Sequence, residues 1–172
     1  MTAMFRNAPM PHENPDRFIA AMAGAATQVS VVTTDGPSGR FGVTVSAFSS
    51  VSAEPPLVLV CINRRSPSVT AIEANGVFCV NLLGDDQAEI ANCFAGRPGD
   101  VTPYDFSCAE WERAATTAPL LSSALASFDC HIETSYDAGT HRIFIGRVAR
   151  AISQDAAPLA FSKRTYQALR PL

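Results

Sequence analysis

The stretch Thr44-Val45-Ser46-Ala47-Phe48-Ser49-Ser50 mixes hydroxyls with small side chains. On an extended chain such residues let bare backbone approach a flat ligand, while the hydroxyls supply donors and acceptors. One apolar run later comes a polar, basic segment, Asn63-Arg64-Arg65-Ser66, with the charge to take a phosphate. Together the two segments suit a ligand with a polar aromatic ring at one end and a phosphate at the other.

Those residues need a frame, and the flanking patterns predict one. Residues 43–52 and 57–62 read as β-type runs joined at the Pro55-Pro56 corner. Upstream, Asn14-Pro15-Asp16 is a helix-start signal for a helix over 16–25, with Phe18, Ile19, Met22 and Ala25 on one face. A strand over 29–34 and a turn over 35–39 with Gly36, Pro37 and Gly39 lead into the first β-type run. Downstream, 67–75 reads as a short helix stopped by Asn75-Gly76, and 77–83 as a buried strand. Asp85 is expected to cap a helix running through Ile90 and Ala91 to Phe94, with Gly96 beyond it. Residues 97–119 read as a long loop around Trp111, and 120–126 as a short helix. Strands over 128–135 and 142–152 are joined through Asp137-Ala138-Gly139-Thr140, a turn chemistry suited to a hairpin, and 158–169 is a last apolar segment.

At 172 residues, 47% hydrophobic and 17% charged, the chain is one domain with a substantial core. Residues 1–13 read as an N-terminal arm and 14–172 as the single domain. A net charge of −3 and scattered basic residues argue against nucleic acid as a partner. Five dispersed cysteines and three dispersed histidines have neither metal-ligand nor disulfide-scaffold spacing, so no metal is expected. Neither a signal peptide nor a membrane-spanning apolar run is evident, which points to the cytoplasm and to no membrane partner. Six or seven strands without regular β-α alternation, and no GxGxxG or P-loop, predict a mainly β fold: an antiparallel barrel with short flanking helices.

In this order the segments resemble the short-chain NAD(P)H:flavin oxidoreductase family, the flavin reductase components of two-component flavin-dependent monooxygenases. The resemblance is carried by Val31-Val32-Thr33-Thr34, Gly42-Val43-Thr44-Val45-Ser46-Ala47-Phe48, Ser50-Val51-Ser52 with Pro55-Pro56, and the run 57–62. It continues in Val80-Asn81-Leu82-Leu83, Phe94-Ala95-Gly96, Gly139-Thr140-His141 with 143–148, and Pro158-Leu159 leading to Tyr166. It spans about 18–169 and implies the FMN-binding split β-barrel, a Greek-key antiparallel fold. It also implies Thr44, Val45, Ser46, Ala47, Phe48 and Ser50 against the flavin, and Asn63, Arg64, Arg65 and Ser66 at its phosphate. Asn81 is implied at the ribityl or ring edge, with Phe94, Ala95 and Gly96 closing the pocket. Thr27, His141 and Tyr166 fall on the NAD(P)H side. The family often has Gly where Gln28 stands and Asp where Thr140 stands.

The expected activity is hydride transfer from NADH, with NADPH as the alternative, to FMN or FAD. A homodimer and a separate monooxygenase that receives the reduced flavin are the implied partners. By itself His141 reads as a solvated turn residue; its family position makes it the residue that orients the nicotinamide, with no essential acid or base required. Two other readings stay open: a flavoprotein that keeps its flavin and reduces a metal complex or corrinoid, and a non-catalytic flavin-binding module.

Overall fold

The computed structural model describes residues 14–97 and 102–169; the expected arm at 1–13 lies outside the described residues. The chain opens with α1 (Pro15–Met22), β1 (Thr27–Gln28), β2 (Ser30–Thr34), β3 (Phe41–Val45), β4 (Phe48–Ala53) and β5 (Pro56–Asn63). Next come α2 (Pro67–Asn75), β6 (Val77–Leu82), α3 (Ala88–Phe94), a 3-10 turn at Phe106–Cys108, β7 (Trp111–Arg113) and β8 (Pro119–Leu121). A long hairpin, β9 (Ala126–Ala138) and β10 (His141–Ser153), is followed by a short one, β11 (Leu159–Ser162) and β12 (Thr165–Ala168).

The main sheet has seven strands in the order β3-β2-β6-β9-β10-β5-β4, every neighbouring pair antiparallel. Its two edge strands, β3 and β4, are consecutive in the chain and separated by Ser46 and Ala47 alone. Two residues span only about 7 Å, so the two edges must meet and the sheet must curl into a split barrel. A three-stranded sheet, β1-β11-β12, and the pair β7-β8 flank it. The expectation of a single strand over 43–52 is corrected here: the run breaks at Ser46-Ala47 because its halves serve opposite edges.

Strand alternation explains the packing. On β5, Val58, Val60 and Ile62 point into the barrel, where they meet Val32, Phe78 and Phe144. Val31 on β2, and Val29 just before it, point the other way and join Leu83, Phe94, Leu121 and Leu159 in a second core. Fully burying one such side chain stabilises the fold by about 1.5–3 kcal/mol. Local signals fare well where they act alone. The Asn14 carboxamide accepts the Asp16 N–H at 2.8 Å, and α2 stops at Gly76, whose φ of 73° only glycine adopts freely.

Three expectations are overturned by tertiary partners. Gln87, not Asp85, precedes α3; the Asp85 N–H donates to the Ala157 carbonyl, and the Gln87 side chain bridges Gly84 and Ser123. Trp111 opens β7 instead of sitting in a loop, its ring edge-on to Phe94 and Phe106 and its Nε1–H donated to the Phe106 carbonyl. The helix expected over 120–126 is absent: Leu121 pairs with Trp111, and its N–H donates to Asn81 Oδ1 at 2.9 Å. A helix there would have to give up both partners. Among the described residues no helix is long and apolar enough to cross a membrane, and no His/Cys/Asp/Glu group is placed to hold a metal ion.

Gly146 on β10 sits where any Cβ would run into the Phe78 ring and lie 2.9 Å from Cys130 Cβ. Gly146→Ala is therefore expected to cost about 1–3 kcal/mol by overpacking. A chemical denaturation midpoint equal to that of the parent chain would refute this account of the barrel interior.

Candidate functional site

The break at Ser46-Ala47 leaves both residues exposed at the seam of the barrel. Beside it lies a cavity of about 160 Å³ lined by Val29, Thr44, Val45, Ser46, Ala95, Arg97, Phe161 and Tyr166. An adjoining cavity of about 270 Å³ shares Ser46 and Phe161 and adds Thr27, Ile19 and Met22. One wall is thus the end of β3, the other the β11–β12 hairpin, whose Phe161 and Tyr166 rings meet edge to face at 5.5 Å. Ser46 and Ala47 bring only small side chains to this exposed seam.

The wall continues along β5. The Ala47 carbonyl accepts the Cys61 N–H at 3.0 Å, and Asn63 follows two residues later at the strand end. At about 3.3 Å per residue this advances the surface some 7 Å to the turn Arg64-Arg65-Ser66. There Asn63 stands opposite His141 in the ladder, and the Arg64 N–H donates to the Thr140 carbonyl at 3.0 Å. The two segments singled out by residue type therefore form one contiguous strip, polar backbone at one end and basic turn at the other. An isoalloxazine-like ring with an anionic tail fits that donor set: exposed backbone and hydroxyl at the seam, aromatic rings opposite, and cations at either flank.

Several expected residues are held by the fold instead of facing the strip. Asn81 is fully buried; its Nδ2 donates to the Val31 carbonyl and the Thr33 hydroxyl, and its Oδ1 accepts from Leu121 N–H and the Ser127 hydroxyl. Phe94 is also fully buried between Phe106 and Trp111, and Phe48 stacks on Phe128 at 5.5 Å. The Thr44 hydroxyl donates to the Ala91 carbonyl at 2.7 Å, which ties β3 to α3. The Ser66 hydroxyl accepts the Ser68 N–H as the cap of α2. Gly96, at φ 67°, faces the Tyr104 ring so closely that no Cβ fits, while its neighbour Ala95 lines the cavity. Ser50 is exposed further along β4, opposite Val58. Gln28, where the family often has Gly, donates its amide to the Val29 and Leu83 carbonyls.

Tyr166 and Thr27 stand at the cavities, and His141 at the turn, with its Nδ1 2.9 Å from the Thr140 hydroxyl. Burial raises the Tyr166 phenol, which donates to Asn92 Oδ1 at 3.1 Å. Phe161 and Arg97 are lining residues with aromatic or charged chemistry that the sequence did not single out. The Arg97 guanidinium lies 5.8 Å from both the Phe161 and the Tyr166 ring centroids. The Phe-Ala-Gly-Arg order of residues 94–97 was the available signal for Arg97. Four thiols are disfavoured as nucleophiles: burial pushes Cys130 and Cys108 up to about 12, and raises Cys61 and Cys79 as well.

The chain is similar to known proteins along nearly its whole length. The flavin reductase like domain matches residues 22–170. The FMN reductase (NADH) RutF 1 of Methylorubrum extorquens is 44% identical over 155 residues, covering 88% of this chain and 75% of the relative. BorF, the flavin reductase component of a bacterial two-component tryptophan halogenase, superposes with a TM-score of 0.81 at 33% identity, covering 92% of this chain and 100% of its own. The NADH:FAD oxidoreductase SgcE6 of Streptomyces globisporus, in complex with NAD and FAD fragments, gives 0.81 at 28% identity, covering 94% of this chain and 98% of its own.

Asn81 lies at the junction of β2, β6, β8 and β9, so its loss should be read in stability. Asn81→Ala strands several buried partners and is expected to cost about 2–4 kcal/mol. Unchanged stability in urea would mean that the amide is not the junction it is built to be.

Proposed function

This chain belongs to the flavin reductase like domain family, and from that premise we infer that it is an NADH:flavin oxidoreductase delivering reduced flavin to a separate monooxygenase. The observation that carries this reading is the contiguous strip from Thr44–Ala47 through Cys61 and Asn63 to Arg65. When bound, flavin and nicotinamide would supply the hydride chemistry between them. What this chain contributes is alignment, for which two well-oriented reactants gain about 7–11 kcal/mol.

In this reading the seam backbone and the Ser46 hydroxyl meet the polar edge of the ring system. Phe161 and Tyr166 exclude water from its other side, with Arg97 held over them. Arg65, whose guanidinium has no partner among the described residues, offers charge to the phosphate. Thr27 and Ser46 line the adjoining cavity on the NADH side. His141 orients the nicotinamide; its contact to the Thr140 hydroxyl limits the ring's rotation. FMN and NADH are the primary pair; FAD and NADPH are the competing substrates to titrate.

We also propose a homodimer. Register partners share a face, so Leu59, Cys61, Ile143 and Ile145 form one outward, half-buried apolar patch across β5 and β10, with Tyr136 half-exposed beside it. A second copy covering such a patch by twofold symmetry is the default arrangement.

NADH oxidation that rises with added FMN is the expected result, and oxidation indifferent to flavin would overturn the reading. His141→Ala should raise the Michaelis constant for NADH by roughly five- to 150-fold, as for a lost positioning contact of about 1–3 kcal/mol, with flavin affinity unchanged. Loss of flavin with normal NADH handling would put His141 on the wrong ligand. For the dimer, Ile145→Asp should give an 18.3 kDa particle by light scattering where the parent chain gives twice that mass. An active parent already at the single-chain mass would exclude the pairing.

A further inference from the structure

The turn Asn63–Ser66 and the turn that carries His141 are bound to each other by more than their ladder. Arg64 donates its N–H to the Thr140 carbonyl at 3.0 Å, and its Nη1 lies 3.5 Å from the Gly139 carbonyl. Its Nη2 sits 3.1 Å from Asp137 Oδ2. The other oxygen of Asp137 accepts from Arg142 Nη1 at 3.0 Å. Arg142 in turn pairs with Glu73 of α2 and donates to the Ser135 hydroxyl at 3.1 Å. A chain of alternating charge thus runs from α2 through Arg142 and Asp137 to Arg64.

An isolated pair between side chains 52% and 41% exposed would contribute little, because solvent screens it. This pair is not isolated. Asp137 is shared by two guanidiniums, one of which is only 26% exposed, and Arg64 is also fastened through its main chain. Arg65, one residue on, uses only its backbone N–H, given to Asn63 Oδ1 at 3.0 Å. The adjacent arginines therefore do different things.

Resting on the function proposed above, we propose that Asp137 is a positioning residue: by holding Arg64 it makes the two turns one rigid unit, aligning the phosphate end of the flavin site with His141, and it leaves Arg65 as the phosphate cation. Arg64 is then a staple and not a ligand. Its removal acts on both substrates, whether or not the flavin carries a phosphate, whereas removal of Arg65 acts on phosphorylated flavins alone.

Steady-state kinetics with NADH against FMN and against riboflavin separate these roles. Asp137→Asn and Arg64→Ala are each expected to raise the Michaelis constants for NADH, FMN and riboflavin alike, by about three- to tenfold, with kcat changed by less than about twofold. The double variant should be no worse than Asp137→Asn alone, because the Arg64–Asp137 pair is already lost in that variant. Arg65→Ala should weaken FMN by about ten- to hundredfold and spare riboflavin. Asp137→Asn keeps shape and volume, so it serves where a truncation unfolds the hairpin. Two outcomes overturn the proposal: Arg64→Ala discriminating FMN from riboflavin, or Asp137→Asn lowering the melting temperature with all three Michaelis constants unchanged. A parent chain without flavin-dependent NADH oxidation would instead remove the functional reading on which the proposal rests.

Discussion

Ser46 and Ala47 form a link too short to let the sheet stay open. Because they join the two edges of a seven-stranded sheet, the sheet must curl until those edges meet. Curling makes an interior that Val60, Phe78 and Phe144 fill, and it needs Gly146 where the Phe78 ring passes closest to β10. The same link is where the ladder is interrupted. Its backbone and small side chains face outward, and the Ala47 carbonyl reaches across to β5. One constraint thus produces both the closed core and the polar surface beside it.

Around that surface, polar side chains divide between folding and binding. Thr44, Ser66 and Asn81 satisfy backbone groups of α3, α2 and β8 respectively, so they hold the walls in place. Buried amides and hydroxyls used this way make large contributions, since leaving their partners unpaired is costly. Ser46, Arg97 and the Phe161–Tyr166 pair line the cavity, and the Arg65 guanidinium has no partner among the described residues. That inventory contains no carboxylate pair and no activated thiol. It suits a reaction in which two bound rings exchange hydride and the protein's work is alignment.

Legibility followed the range of the interactions. Where a few neighbouring residues decide, the sequence was sufficient. Asn14-Pro15 starts a helix, Asn75-Gly76 ends one, and Gly139-Thr140 turns the long hairpin, whose Gly139 has a φ of 59°. The unbroken apolar run over 57–62 marked the strand that the structure shows as β5. The resemblance, carried by residues in order along the chain, was likewise available without coordinates, and so was the polar-then-basic character of the strip.

Tertiary structure decided whatever depended on a partner distant in the chain. Leu120 and Leu121 look like a helical turn until Trp111 and Asn81 claim them for a strand. Asn81 reads as a ligand-edge residue until Val31, Thr33, Leu121 and Ser127 use all its hydrogen-bonding capacity. Arg64 and Arg65 are interchangeable as letters, and only Asp137, from another hairpin, makes one of them a staple. Residue type determined which chemistry this chain has at its disposal. Which of those groups are free to use it depended on long-range hydrogen bonds and charge pairs, since these form only after the sheet has curled.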